Sequence, residues 1–192
     1  MEEMGCADLA SEGEELVMKL ILDVMYDEAK GLARTAAVEF QEFTDSKETT
    51  VHVAESPIAS EYIPGEFYKR ELPAIMAAIQ QIGLDRVKGE CDAIVVDGLY
   101  MLGVGHPGLG ARLKQHLSET YGIDVEVIGI AKTHFNGCES VAKAVQRGKD
   151  AVKPLYVNGS GDRDYAALVK RMAGDYRLPY LVKRVDTICR GR

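Results

Sequence analysis

The sequence predicts a mixed α/β fold, with three antiparallel strands followed by parallel strands in a sheet flanked by helices. Three observations predict it. Residues 19–54 hold three apolar stretches joined by turn residues. A helical apolar stripe begins near Arg70. From Asp92 onward, short apolar runs alternate with further helical stripes.

Each element has its own signal. Residues 1–15 carry no apolar period and read as a short helix or a frayed start. Lys19–Met25 is an apolar run interrupted by Asp23 and reads as a buried strand. Residues 26–31 form a turn, Ala33–Phe43 a second strand, and Thr44–Lys47 another turn. Thr49–Ala54 alternates as a third strand. Such short connections imply an antiparallel meander. Ser56–Lys69 is a loop with two prolines. A helix follows from about Arg70, with Leu72, Ile75, Met76, Ile79 and Ile82 on one face and Pro73 expected in its first turn.

The run Asp92–Gly98 is a strand ending in Asp97, followed by a glycine-rich loop to Gly110. Leu109–Tyr121 is helical through Leu113, Leu117 and Tyr121. Val125–Ile130 is a fifth strand, and Ser140–Gln146 reads as a short helix. Ala151–Val157 is a strand or hairpin arm. Arg163–Ala173 is a helix, with Asp162 as its expected N-cap. Leu181–Arg192 is a last helix packing through Leu181, Val185 and Ile188. This order is ribonuclease H-like. It brings the first strand, the first long helix and the fourth strand to one end of the sheet, and with them Asp23, Glu71 and Asp97.

An acid in or at the end of an apolar strand is costly unless something compensates it. Hard cations such as magnesium take oxygen ligands, and carboxylates sharing one such ion can activate water against a phosphodiester. Asp23, Glu71 and Asp97 are therefore the candidate cation ligands. Taken singly, Asp23 also fits an edge-strand acid, Glu71 a helix N-terminal charge, and Asp97 a turn opener. Lys132, just past the fifth strand, projects from the same end and is a candidate phosphate contact.

Composition narrows the class. The chain has 192 residues, 46% hydrophobic, which suits one domain over 1–192. The acidic, mixed start does not resemble a signal peptide, and no apolar run is long enough to span a bilayer. Four scattered cysteines without a CxxC pair read as reduced thiols of a cytoplasmic protein. The net charge of −7 argues against a general nucleic-acid binder, but Lys183, Arg184, Arg190 and Arg192 make the end locally basic.

Several motifs, in order, resemble the endonuclease V family. They are Leu22-Asp23-Val24 with Tyr26, Tyr62-Ile63-Pro64-Gly65, Arg70-Glu71 with Pro73, and Val96-Asp97-Gly98. His106-Pro107 with Gly110, Gly129-Ile130-Ala131-Lys132, Pro154–Val157, Arg147-Gly148 and Arg177-Leu178-Pro179 fit as well. The resemblance spans about Leu20 to Arg190. It implies a ribonuclease H-like fold and magnesium-dependent cleavage, with manganese as substitute, on the 3′ side of deoxyinosine in damaged DNA or inosine in RNA. It also implies that Asp23, Glu71 and Asp97 bind metal and that Lys132 assists at the scissile phosphate. Tyr62, Ile63 and Pro64 match the wedge that separates strands. Gly98 and the loop up to His106 match the wall of a pocket for an extruded base.

Three features depart from that pattern. Glu61 stands where a proline usually precedes the tyrosine. The loop after Asp97 is lengthened by Leu99-Tyr100-Met101-Leu102. Gly161-Asp162 replaces a glycine-histidine pair, which makes Asp162 a candidate oxygen ligand. The alternatives to an inosine-directed nuclease are a homologue that binds nucleic acid or a protein without cutting, and a nuclease for another modified base or for RNA.

Overall fold

The computed structural model describes residues 17–64 and 66–192. The expectation for residues 1–15 lies outside them. A seven-stranded sheet runs β3-β2-β1-β4-β7-β9-β8. Strands β1 (Met18–Asp27), β2 (Leu32–Phe40) and β3 (Thr50–Pro57) form the antiparallel meander. Strand β4 (Cys91–Asp97) then pairs in parallel with β1, and β7 (Glu126–Ala131) in parallel with β4. This is the ribonuclease H-like order expected. Two short strands, β8 (Lys143–Val145) and β9 (Leu155–Gly159), close the far edge antiparallel to their neighbours.

Helices cover both faces, which is why β1, β4 and β7 read as nearly continuous apolar runs. Along each strand successive side chains alternate between faces. Leu20, Leu22, Ile94, Val96 and Val127 pack with Ile75, Ile79, Leu113 and Leu117 of helices α1 (Tyr68–Ile82) and α3 (Leu109–Tyr121). Ile21, Val95, Ile128 and Ile130 face the other way. They pack with Leu168 and Val185 of α4 (Tyr165–Arg171) and α5 (Tyr180–Cys189). The same alternation carried one step further puts Asp23, Asp97 and Lys132 on the α5 side of the sheet, at the C-terminal ends of three parallel strands.

Four local differences have physical causes. The helix expected over Ser140–Gln146 is a single 3₁₀ turn (Cys138–Ser140) followed by β8. That stretch has no helical stripe, and the open edge of β9 offers strand pairing instead. The glycine-rich loop contains a small hairpin, β5 (Met101–Gly103) with β6 (His106–Pro107). A short helix α2 (Leu84–Glu90), with only Val87 buried, is too brief to leave a period in the sequence. Helix α1 starts at Tyr68 rather than Arg70, so Pro73 falls in its second turn. There it removes a donor for the carbonyl of Lys69, an exposed residue.

Candidate active site

The strand ends deliver a compact charged cluster. Asp23, on β1, is 9% exposed, and its Oδ1 accepts from the Val24 amide at 2.8 Å. Asp97 closes β4, and the chain then turns at Gly98, whose φ of 144° suits glycine. The Gly98 amide donates to the Ile130 carbonyl at 3.0 Å, which ties the turn to β7. Lys132, one residue past β7, reaches back across the strand ends. Its Nζ lies 2.7 Å from Asp97 Oδ2, 3.3 Å from Asp186 Oδ1 and 3.8 Å from Asp23 Oδ2.

Glu71 comes from the opposite face. It sits in the first turn of α1, 6% exposed, and Tyr26 Oη donates to its Oε1 at 3.4 Å. Arg70 beside it stacks on the Tyr26 ring, 4.1 Å from the centroid, and pairs with Glu28. Tyr26 and Arg70 thus wall in the Glu71 carboxylate.

The electrostatics show that these acids share one volume. Burial, the charge of Asp97 and that of Asp186 push Asp23 up to about 6, against the pull of Lys132. Burial and the charges of Asp23 and Asp97 raise Glu71 well above the usual carboxylate range. Burial works against the Lys132 charge, but Asp97, Asp23 and Asp186 outweigh it and hold the ammonium above its ordinary range. For Asp186, burial is outweighed by Arg190 and Lys132, which keep the carboxyl low.

Asp186 is the acid that sequence reasoning missed. It lies on α5, 6% exposed, between Lys132 and Arg190, whose Nε is 3.2 Å from Oδ1. One signal pointed to it: Asp186 interrupts the helix stripe formed by Leu181, Val182, Val185, Ile188 and Cys189, all buried. Burial pushes the Cys189 thiol up to about 12 and does the same for Cys91, so both remain unreactive thiols.

Asp162 does not join the cluster. Strand β9 runs antiparallel to β7, with Ala131 opposite Tyr156 and Ile128 opposite Gly159. It therefore carries Gly161-Asp162 to the end of the sheet where β7 begins. The Gly161 amide there donates to Tyr165 Oη, which in turn donates to Glu126. Nor does Asp162 cap α4: Asp164 does, accepting from the Ala167 amide at 3.2 Å.

The remaining candidates lie around the rim. Tyr62 is 62% exposed, and Ile63 and Pro64 are exposed with it. Tyr62 packs edge-on against Phe67. A cleft beside it is lined by Glu28, Gly31, Ile58, Ser60, Glu61, Tyr62 and Arg70. His106 is exposed on the β5–β6 hairpin, apart from the carboxylates.

The donor set fits a hard divalent cation. It consists of clustered carboxylates, of which Asp23 and Glu71 are raised by burial and by their acidic neighbours, while Lys132 and Arg190 compensate the others. As placed, no three such groups among the described residues stand around a common point, and Lys132 pairs with both Asp97 and Asp186.

A model of the family described as Endonuclease V matches residues 8–187. The chain belongs to the endonuclease V family. Endonuclease V of Nostoc punctiforme is 31% identical over 186 residues, covering 84% of this chain and 77% of that protein. The Streptomyces coelicolor enzyme is 29% identical over 88% of this chain and 76% of its own. Human endonuclease V superposes with a TM-score of 0.71 at 17% identity, over 93% of this chain and 84% of that one. Ciona intestinalis endonuclease V, solved with a DNA containing an inosine followed by a ribo-adenosine, gives 0.71 at 17% over 92% and 86%. At that identity the two structures establish the fold of an endonuclease V, and the family assignment rests on the sequence matches.

Proposed function

We propose that this protein is a single-domain, metal-dependent endonuclease. It hydrolyses the phosphodiester on the 3′ side of a deaminated purine, deoxyinosine in DNA or inosine in RNA. The observation that carries this reading is the convergence of Asp23, Asp97, Asp186 and Lys132 at one end of the parallel strands, with Glu71 closing from α1. Membership of the endonuclease V family and the inosine-containing DNA bound by the Ciona protein favour the substrate.

Asp23, Asp97 and Asp186 would hold magnesium, or manganese in its place, and Glu71 would complete the set. When bound, the ion supplies an activated water and charge for the leaving oxygen. The chain's own groups do the rest. Lys132 neutralises charge developing on the phosphoryl oxygens. Tyr26 orients Glu71 and holds a proton against it. Tyr62, Ile63 and Pro64 enter beside the weakened base pair, and Gly98 lets the following loop approach an extruded base.

One observation favours a second reading, a homologue that binds without cutting. Glu61 lines the cleft beside Tyr62 and repels a phosphate there. The test is incubation of pure protein with magnesium or manganese and inosine-containing DNA and RNA oligonucleotides. Nicking one nucleotide beyond the inosine is expected. Absence of cleavage on every substrate overturns the nuclease and leaves the binder.

A further inference from the structure

The protein's charge is divided along the chain. Residues 143–192 hold twelve Lys or Arg against five Asp or Glu, a net +7 in a chain whose total is −7. This segment forms β8, β9, α4 and α5, on the β7 side and the α5 face of the carboxylates.

Two loops of that segment lock together at the catalytic end of the sheet. The Arg147 guanidinium, 6% exposed, donates to the carbonyls of Met172, Gly174 and Tyr176 at 2.6, 2.8 and 3.2 Å. Arg177 donates to the carbonyls of Lys153, Pro154 and Lys132. A Cβ on Gly148 would meet the Arg177 amide at 2.8 Å, so the loops pack backbone to backbone. This support fixes the backbone at Tyr176, whose ring is 82% exposed, one residue from the arginine that touches Lys132. Val152 is 92% exposed beside Lys153. Lys149 and Lys153 are exposed, and neither forms an ion pair among the described residues, unlike Lys132, Lys143 and Lys183.

An exposed aromatic ring on an anchored backbone, with two lysines beside it that form no ion pair among the described residues, matches the chemistry of single-stranded nucleic acid. Bases stack on the ring and phosphates meet the ammonium groups. Its position gives it a partner. Tyr62 follows β3 and stands on the β1–β3 side of the carboxylates, whereas Tyr176 stands on the β7–β9 side.

We infer that Tyr176, Lys149 and Lys153 form a second binding subsite, which grips the unpaired strand flanking the cleaved phosphodiester. A strand lying across the sheet end then runs from Tyr62, over Asp23 and Asp97, to Tyr176. This deepens the nuclease reading and rests on it.

The experiment measures binding of a labelled single-stranded oligonucleotide by fluorescence anisotropy in chelator, where no cutting occurs. Tyr176→Ala should weaken binding roughly 5- to 150-fold and Tyr176→Phe should not, because the ring and not the hydroxyl stacks. Replacing Lys149 and Lys153 by serine should lower the slope of log affinity against log salt by about 0.7 for each phosphate no longer neutralised. Irradiating the complex of a 5-iodouracil-substituted strand should crosslink Tyr176. DNA and RNA strands run in parallel show which polymer the subsite takes. A wild-type protein that cuts inosine substrates, with Tyr176→Ala binding as tightly as wild type, overturns the subsite alone. A protein that binds strands through Tyr176 yet cuts nothing overturns the nuclease and keeps the subsite. Failure of wild type to bind any strand overturns the subsite, and the cleavage assay with metal decides the nuclease separately.

Discussion

The Lys132 ammonium lies 2.7 Å from Asp97 Oδ2, so a cation already stands between the acids that a metal would join. In metal-free protein this lysine is the only positive charge within 4 Å of Asp97 among the described residues. Removing it leaves Asp23, Asp97 and Asp186 facing one another. Lys132→Met should lower metal-free stability by about 1–3 kcal/mol, less than for a fully buried pair because the lysine is partly exposed. Manganese should restore more stability to the variant than to wild type, read as the shift in Tm on adding the ion. Cleavage should fall at least about 100-fold through loss of the charge at the phosphate.

Asp23 gives a pH dependence whose sign is unusual for an acid. Its folded pKa, near 6, lies above the ordinary value of 3.8. The native state therefore binds more protons than the unfolded state between those values, and stability falls as pH rises through that window. Wild type without metal should lose about 2 kcal/mol from pH 4 to pH 6 relative to Asp23→Asn, in denaturant titrations. Manganese affinity should also weaken below pH 6, where protons compete for Asp23.

Asp186 and Asp162 make a paired test of the site's membership. Asp186→Asn should reduce cleavage by about two orders of magnitude or more, because it alters a carboxylate facing Lys132. Asp162→Asn, at the other end of the sheet, should leave initial rates unchanged. Equal rates for the two variants would sink the assignment of Asp186.

Gly129 is the steric key of the strand end. A Cβ there would collide with the Gly98 carbonyl, the Tyr100 amide and the Leu99 carbonyl carbon, all backbone atoms. Tyr100 is fixed from the other side, its amide donating to Asn158 Oδ1 at 2.7 Å. Gly129→Ala should push the Gly98–Tyr100 segment off the sheet and cost about 1–3 kcal/mol in thermal unfolding. Cleavage should suffer more than stability, because Asp97 adjoins the displaced turn.

Much of this arrangement was legible in the residues. Asp23, Asp97 and Lys132 share a face because β alternation continues from Ile21, Val95 and Ile130, and alternation needs no tertiary information. Glu71 was legible as an acid at a helix start that the topology brings to Asp23 and Asp97, whereas its enclosure by Tyr26 and Arg70 was not, since that depends on how α1 docks. Asp186 was hidden because a polar residue in a helix ordinarily faces water, and only the packing of α5 on β1 and β2 turns it inward. Asp162 was misplaced for a topological reason: whether the last strand runs parallel or antiparallel decides which end of the sheet its following turn reaches. Lys143–Val145 likewise became a strand because β9 needed an edge partner.

The docking of α5 on β1 also sets when the charged cluster is complete. Asp23 and Asp186 belong to the first strand and the last helix, so the acidic cluster assembles only when the two distant parts of the chain have met. Such long-range contacts require loop closure before they reward it, which slows their formation. A partly folded chain holds Asp23, Glu71 and Asp97 at most, without the helix that turns Asp186 toward Lys132. The fold thereby acts as its own safety catch, withholding the complete set of proposed metal ligands until the whole sheet is built and closed.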